Sequence, residues 1–174
     1  MQVKVVEREL EKISEGHKHF IAGLIEGEGC FIIYKNSHAR QSGKGKVYYY
    51  TAGFCLSNTN FAMIKYLRET LRIGQATIEP YQTRKPMAKF SITNEVDLLA
   101  FLNVLIPYLK WKRTEAELLV EWIISRMPKF RKQRGYSTRE KEIYHLVKNI
   151  KSFSMPKAEV LGKREEIRRE LNAL

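Results

Sequence analysis

The chain has 174 residues, enough for one domain with a substantial core and short for two. Its 31 Lys and Arg against 19 Asp and Glu, a formal net charge of +12, point to a polyanionic partner held by phosphate contacts and counterion release. No apolar run is long enough to span a bilayer, the first residues lack a signal-peptide centre, and two Cys with four His show neither a disulfide framework nor metal-ligand spacing, so the reading is a soluble protein of a reducing compartment, cytoplasmic (nucleoid-associated) or organellar and not secreted.

Residues from about 14 to 26 read as a helix. Phe20, Gly23, Leu24 and Gly27 recur at helical spacing, Ser14 offers a partial cap, and Gly27 and Gly29 are expected to end the helix. From Cys30 the pattern turns to β. Residues 30–35 and 46–56 are rich in aromatic and β-branched types, with a polar, basic loop over 36–45 suited to a hairpin tip. Alternation predicts Tyr50, Ala52, Phe54 and Leu56 on a core face, and Tyr49, Thr51, Gly53, Cys55 and Ser57 on the other. A helix over 61–72 closed by Gly74 precedes a second hairpin, residues 76–81 and 87–93. Its core face is expected to hold Ala76, Ile78, Ala88, Phe90 and Ile92, and its other face Thr77, Glu79, Tyr81, Lys89 and Ser91. Pro80 implies an edge strand or bulge. Helices follow over 96–106, 112–126, 138–152 and from Pro156 onward. This order defines an α+β chain with an antiparallel sheet, and no repeat or linker divides it, so 1–174 is read as one domain with a helical C-terminal extension.

The chemistry concentrates where the first of these helices meets its strand. Glu26 and Glu28, separated and followed by glycine, stand at a helix C-terminus, where each opposes the macrodipole by about 0.3–1 kcal/mol. Two acids in so unfavourable a place, on so basic a chain, read as a metal site aimed at nucleic acid. Solubilisation of a helix end is the plain alternative. Mg²⁺ takes one or two carboxylates and keeps waters and substrate oxygens, so one acid per chain is enough where two chains meet.

The run Ile21-Ala22-Gly23-Leu24-Ile25-Glu26-Gly27-Glu28-Gly29 resembles the LAGLIDADG motif of homing endonucleases, with Ile for Leu and Glu for both Asp. The resemblance extends over most of the chain and implies the αββαββα core with a DNA-binding β saddle. It makes Glu28 the metal-ligating carboxylate and Gly27 the neighbouring carbonyl ligand, and it puts Ala22, Gly23, Glu26 and Gly27 at the interface of paired helices. The segment Pro107-Tyr108-Leu109-Lys110-Trp111-Lys112 is similar to the family's Pro-aromatic-Leu-Lys-x-Lys run, which implies Lys112 as the active-site lysine. Asn58 falls where the family has a polar residue contacting the nucleophilic water. The family's following basic residue has no counterpart at Ala62, and Lys65 and Arg68 are the nearest candidates.

The motif occurs once, so a twofold homodimer is expected, on a roughly palindromic target. A ten-residue strand spans about 33 Å, and two saddles then cover on the order of 20 base pairs. Tyr34, Asn36, His38, Arg40 and Gln41 on the first strand and tip, and Arg84 and Lys85 at the second tip, are candidates to reach bases or phosphates. The expected activity is Mg²⁺-dependent cleavage of double-stranded DNA by an intron-encoded enzyme. The rivals are an RNA maturase that binds intron RNA, a relative that binds without cutting, and a structural RNA binder that stacks bases on Tyr48, Tyr49 and Tyr50.

Overall fold

The computed structural model describes residues 2–39, 46–79, 86–127 and 136–152; of His38, Ala39, Val47, Glu79, Lys151 and Ser152 it describes the backbone alone. Its elements in order are α1 (Gln2–Glu11), α2 (Glu15–Glu28), β1 (Gly29–Ala39), β2 (Lys46–Asn58), α3 (Phe61–Leu71), β3 (Gln75–Glu79), β4 (Met87–Ile92), α4 (Glu95–Leu105), a 3₁₀ turn (Ile106–Tyr108), α5 (Arg113–Arg126) and α6 (Thr138–Ser152). The expected α+β class with an antiparallel sheet is what forms. None of the described helices is long and apolar enough to cross a membrane.

Four strands make one sheet in the order β1-β2-β4-β3, with every neighbouring pair antiparallel. One face is packed: Phe31, Ile33, Ala52, Phe54, Leu56, Ala88, Phe90 and Ile92 are all buried beneath the helices. Burying each of the Phe, Ile and Leu side chains among them contributes about 1.5–3 kcal/mol. The predicted core face therefore holds on β2 and β4. It fails on β3, where Ala76 is exposed and Ile78 is 64% exposed. The edge position is the reason: α3 leaves an open groove of about 320 Å³ lined by Phe61, Ile64, Arg68, Ala76 and Ile78.

Several boundaries move. α1 forms where only a charged N-terminus was read; Leu10 is buried and Val3 and Val6 pack beside it, at helical spacing. α2 runs through Gly27 to Glu28 instead of stopping at Glu26. Ser14 caps its start, its Oγ accepting from the His17 N–H at 3.4 Å. Gly29 caps its end in extended backbone (φ −70°, ψ 151°), so the helix feeds straight into β1. A Cβ at Gly29 would lie 2.7 Å from the Ile25 carbonyl oxygen and 2.9 Å from the Phe54 ring, which explains why glycine stands there. α3 is closed by Arg72 at φ 54° and only then by Gly74 at φ 69°.

The C-terminal helices brace the far side of β1 and β2. α6 opens with a capping box: the Glu140 N–H donates to Ser137 Oγ at 3.2 Å, and the Ser137 N–H donates to Glu140 Oε2 at 2.6 Å. Trp122 stacks on Tyr136 (5.9 Å, 16°), whose hydroxyl accepts from the Tyr50 N–H at 2.9 Å. Tyr50 is thus tied to the helices, on the face predicted for it. The helix expected after Pro156 lies outside the described residues.

Candidate active site

The end of α2 and the start of α5 cap each other. The Glu26 carboxylate accepts from the backbone N–H groups of Lys110 (2.6 Å), Trp111 (3.0 Å) and Lys112 (3.1 Å). These are donors at and just before the N-terminus of α5, where a negative charge is favoured. In return the Lys112 ammonium donates to the carbonyl oxygens of Ile25 (2.8 Å) and Gly29 (2.6 Å) at the C-terminus of α2. Each helix receives the charge its dipole prefers, across 83 to 87 residues of sequence. Glu26, half-exposed, is therefore engaged by its own chain as an anchor.

Glu28 is different. It is the last residue of α2, its side chain is exposed, and it makes no hydrogen bond or ion pair within the described residues. Gly27 beside it is also exposed, and the carbonyls of the final helical turn have no intrahelical partner by geometry. One free carboxylate and one free carbonyl, with an ammonium fixed on the next peptide, form a half-site open to solvent. No cluster of three or more His, Cys, Asp or Glu side chains suited to a metal ion occurs among the described residues. The donor set fits a hard divalent cation that keeps several waters and substrate oxygens.

Asn58 ends β2. Because Gly29 pairs with Leu56, the strand continues two residues beyond the start of β1, toward the end of α2. Asn58 Oδ1 accepts from the Asn60 N–H at 2.7 Å, closing the turn into α3. Asn60 in turn caps α3, its Oδ1 accepting from Ala62 and Met63.

The open face of the sheet carries the expected readout positions in register. Tyr34 lies opposite Thr51, Asn36 opposite Tyr49, and Ser57 opposite Lys89. Tyr49 is exposed, while Tyr34, Asn36, Thr51 and Lys89 are half-buried. Cys30 and Cys55 sit opposite one another on the same face, neither of them in a disulfide. The neighbouring Cys30 and burial push the Cys55 thiol far above the usual range, so it stays protonated. Arg40, Gln41, Tyr81, Arg84 and Lys85 lie outside the described residues, and His38 and Glu79 belong to strands whose side chains there are not described.

Of the positions expected to pair helices, Gly23 and Gly27 are exposed, and a Cβ on either would meet nothing within 4 Å. Ala22 is a correction: it is 2% exposed, pointing with Lys18, Ile21 and Ile25 into its own chain. A helix puts residues one apart on different faces, so Ala22 and Gly23 cannot share one. Sequence reasoning also missed the cross-cap itself. Its only trace was the chemical pattern of an acid before a helix end and a lysine before a helix start.

Solved structures that share this fold include several homing endonucleases. The chain is similar to an archaeal intron-encoded homing endonuclease, I-Vdi141I, complexed with DNA, at 16% identity over 85% of this chain and 94% of that one, with a TM-score of 0.66. It is similar to the homing endonuclease I-CvuI in complex with its target in the presence of Ca, at 18% identity over 81% and 84% and a TM-score of 0.58. It also resembles the LAGLIDADG homing endonuclease I-SmaMI bound to cleaved DNA, at 14% identity over 80% of this chain but 45% of that one, with a TM-score of 0.57. No curated protein matches the sequence. The profile of the LAGLIDADG endonuclease family matches residues 21–117, more than half of the chain and the whole stretch from the motif into α5. The chain belongs to the LAGLIDADG endonuclease family.

Proposed function

We propose that the protein is a metal-dependent homing endonuclease that makes a double-strand cut at a long, near-palindromic DNA site as a twofold homodimer. The observation that carries this reading is the half-site at the end of α2: Glu28 exposed and unpaired, with the Lys112 ammonium held at Gly29 by two helix-capping bonds. A divalent metal such as Mg²⁺ would be held by the Glu28 carboxylate and the Gly27 carbonyl, and when bound it supplies charge neutralisation at a phosphate and an activated water. Lys112 adds a fixed positive charge beside the same phosphate, and Asn58, in the part of β2 that runs past the start of β1, would orient water. The open sheet face, from Tyr34 and Asn36 to Thr51 and Lys89, lies along the duplex.

Two copies are needed because one chain holds one carboxylate of the site. Relatives matched over only 45% to 49% of their length leave room for a second unit of the same size, and this chain would obtain that unit by pairing. An RNA-binding reading is favoured by a different observation, the exposure of Tyr48 and Tyr49 on β2, since unpaired bases stack on such rings.

Cleavage of a randomised duplex library with Mg²⁺ by wild type and Glu28→Gln separates these readings. The expected outcome is discrete breaks at one near-palindromic site, reduced by about 10³-fold or more in the variant, with duplex affinity changed only a few-fold. Tight binding of duplex without breaks by wild type would leave a non-cleaving binder, and a preference for intron RNA would leave the maturase.

A further inference from the structure

Three features flank the exposed side of α2, and they fit one another. Gly16, Gly23 and Gly27 run along one line of the helix, each with open space where a Cβ would be. On one side of that line the segment before α5 is fastened to the helix. The Tyr108 hydroxyl donates to Glu15 at 2.7 Å, its ring meets His19 edge-on at 5.0 Å, and the Trp111 N–H donates to Glu26. Trp111 itself projects from this segment and is 86% exposed. On the other side of the line, His17 and Phe20 meet Tyr66 of α3 edge-on at 5.7 and 5.5 Å. There the two helices leave an open cleft of about 470 Å³ lined by His17, Phe20, Asn60, Met63 and Tyr66. Phe20 is 53% exposed, and the Tyr66 hydroxyl is buried without a hydrogen-bond partner.

A knob on one flank and a cleft on the other are complementary under one symmetry. If the two Glu28 residues are to reach one site, the α2 helices of two copies must run in the same direction, with the twofold axis along them. That operation carries the Trp111 flank of each copy opposite the α2–α3 cleft of the other. An axis across the helices would instead lay the Trp111 flank of one copy along the Trp111 flank of the other, and it would send the carboxylates to opposite ends. Area argues the same way. The exposed strip of a 14-residue helix is about 21 Å long and about 10 Å wide, so it offers roughly 200 Å² per copy, where a stable interface needs about 800 Å² per partner. The flanks must take part.

We infer that the second copy of this chain docks on both flanks of α2, with Trp111 of each copy seated in the cleft between α2 and α3 of the other. The inference rests on the two-copy reading above and adds the residues that make the contact. A large exposed indole beside an open aromatic cleft is the kind of pair that dominates interface energy.

The test uses the full chain without DNA. Sedimentation velocity is followed over a concentration series for wild type, Trp111→Glu, Phe20→Lys and an equal mixture of the two variants, with circular dichroism to check that each is folded. Wild type is expected to dimerise, and each variant alone to raise the dissociation constant about a thousand-fold, because a twofold dimer holds the contact twice. The mixture is expected to recover dimer, since the introduced carboxylate then meets the introduced ammonium. The emission of Trp111, obtained as wild type minus Trp111→Phe, is expected to move to shorter wavelength as wild type dimerises. A wild type that stays monomeric throughout overturns the two-copy reading together with this one. A dimer that survives Trp111→Glu overturns the inference and leaves the two-copy reading standing. Variants that dissociate without recovery in the mixture overturn the pairing of Trp111 with this cleft. A Trp111 emission shift seen only on adding duplex overturns it in favour of a DNA contact.

Discussion

Lys112 is placed by its own chain before any substrate arrives. Its ammonium satisfies two carbonyls at the end of α2, and a charged hydrogen bond of this kind contributes about 1.5–3 kcal/mol. Lys112→Met is therefore expected to lower stability by about 2–4 kcal/mol in urea denaturation, as well as to lower cleavage. A variant that cleaves normally per folded molecule would make the residue a cap and nothing more. Glu95, in the first turn of α4, presents the reverse case. Burial pushes its carboxyl above the usual range, Arg126 opposes the shift only partly, and its Oε2 is buried without a hydrogen-bond partner. The folded state thus holds this proton to higher pH than the unfolded chain does. Fewer protons are bound on unfolding, so stability falls as pH rises from the ordinary carboxylate range through the raised value and stays reduced above it. Glu95→Gln is expected to raise Tm at pH 7 and to have little effect at pH 4. Equal gains at both pH values would contradict this account.

Between elements, the reciprocal cap joins the end of α2 to the start of α5. Removing the Glu26 carboxylate strips three backbone N–H groups of their acceptor, and loss of a helix cap costs about 0.5–2 kcal/mol. Glu26→Ala is expected to lower stability by about that much and to reduce kcat by releasing the start of α5, with duplex affinity nearly unchanged. Loss of affinity in proportion to activity would assign Glu26 to the DNA or to the pairing face. This contact was out of reach of sequence reading, because 84 to 86 residues separate its partners and no periodicity reports on it. What periodicity does report came through. β2, β4 and α6 keep the expected alternation or bounds, since each buries one regular face. α1 was missed because Glu7, Arg8, Glu9 and Glu11 interleave with Val3, Val6 and Leu10 and hide its stripe. Ile78 was misplaced because an edge strand has the same alternation as a covered one. Ala22 was misplaced because the motif pattern names residues without saying which way each one faces.

At the scale of the whole molecule, the question is whether the sheet face meets a duplex or unpaired strands, and salt dependence answers it. The formal charge of +12 predicts a linear fall of log K with log salt, with a slope of about −0.9 per neutralised phosphate on B-DNA and about −0.7 on single strands. Lys89 is on the open face, on β4 opposite Ser57 and Thr77, and on the proposed reading it would be one of the phosphate contacts. Lys89→Gln is expected to make the slope shallower by about 0.9 for each copy bound, and to weaken matched and unmatched duplexes alike. Chelation of divalent cations is expected to leave that slope in place while abolishing cleavage, because on the proposed reading the sheet would hold the phosphates and only the end of α2 would need the metal. A slope indifferent to Lys89 would move the duplex off this face. A change nearer 0.7, with single-stranded RNA bound more tightly than duplex, would mean that Tyr49 and not the lysine defines the ligand.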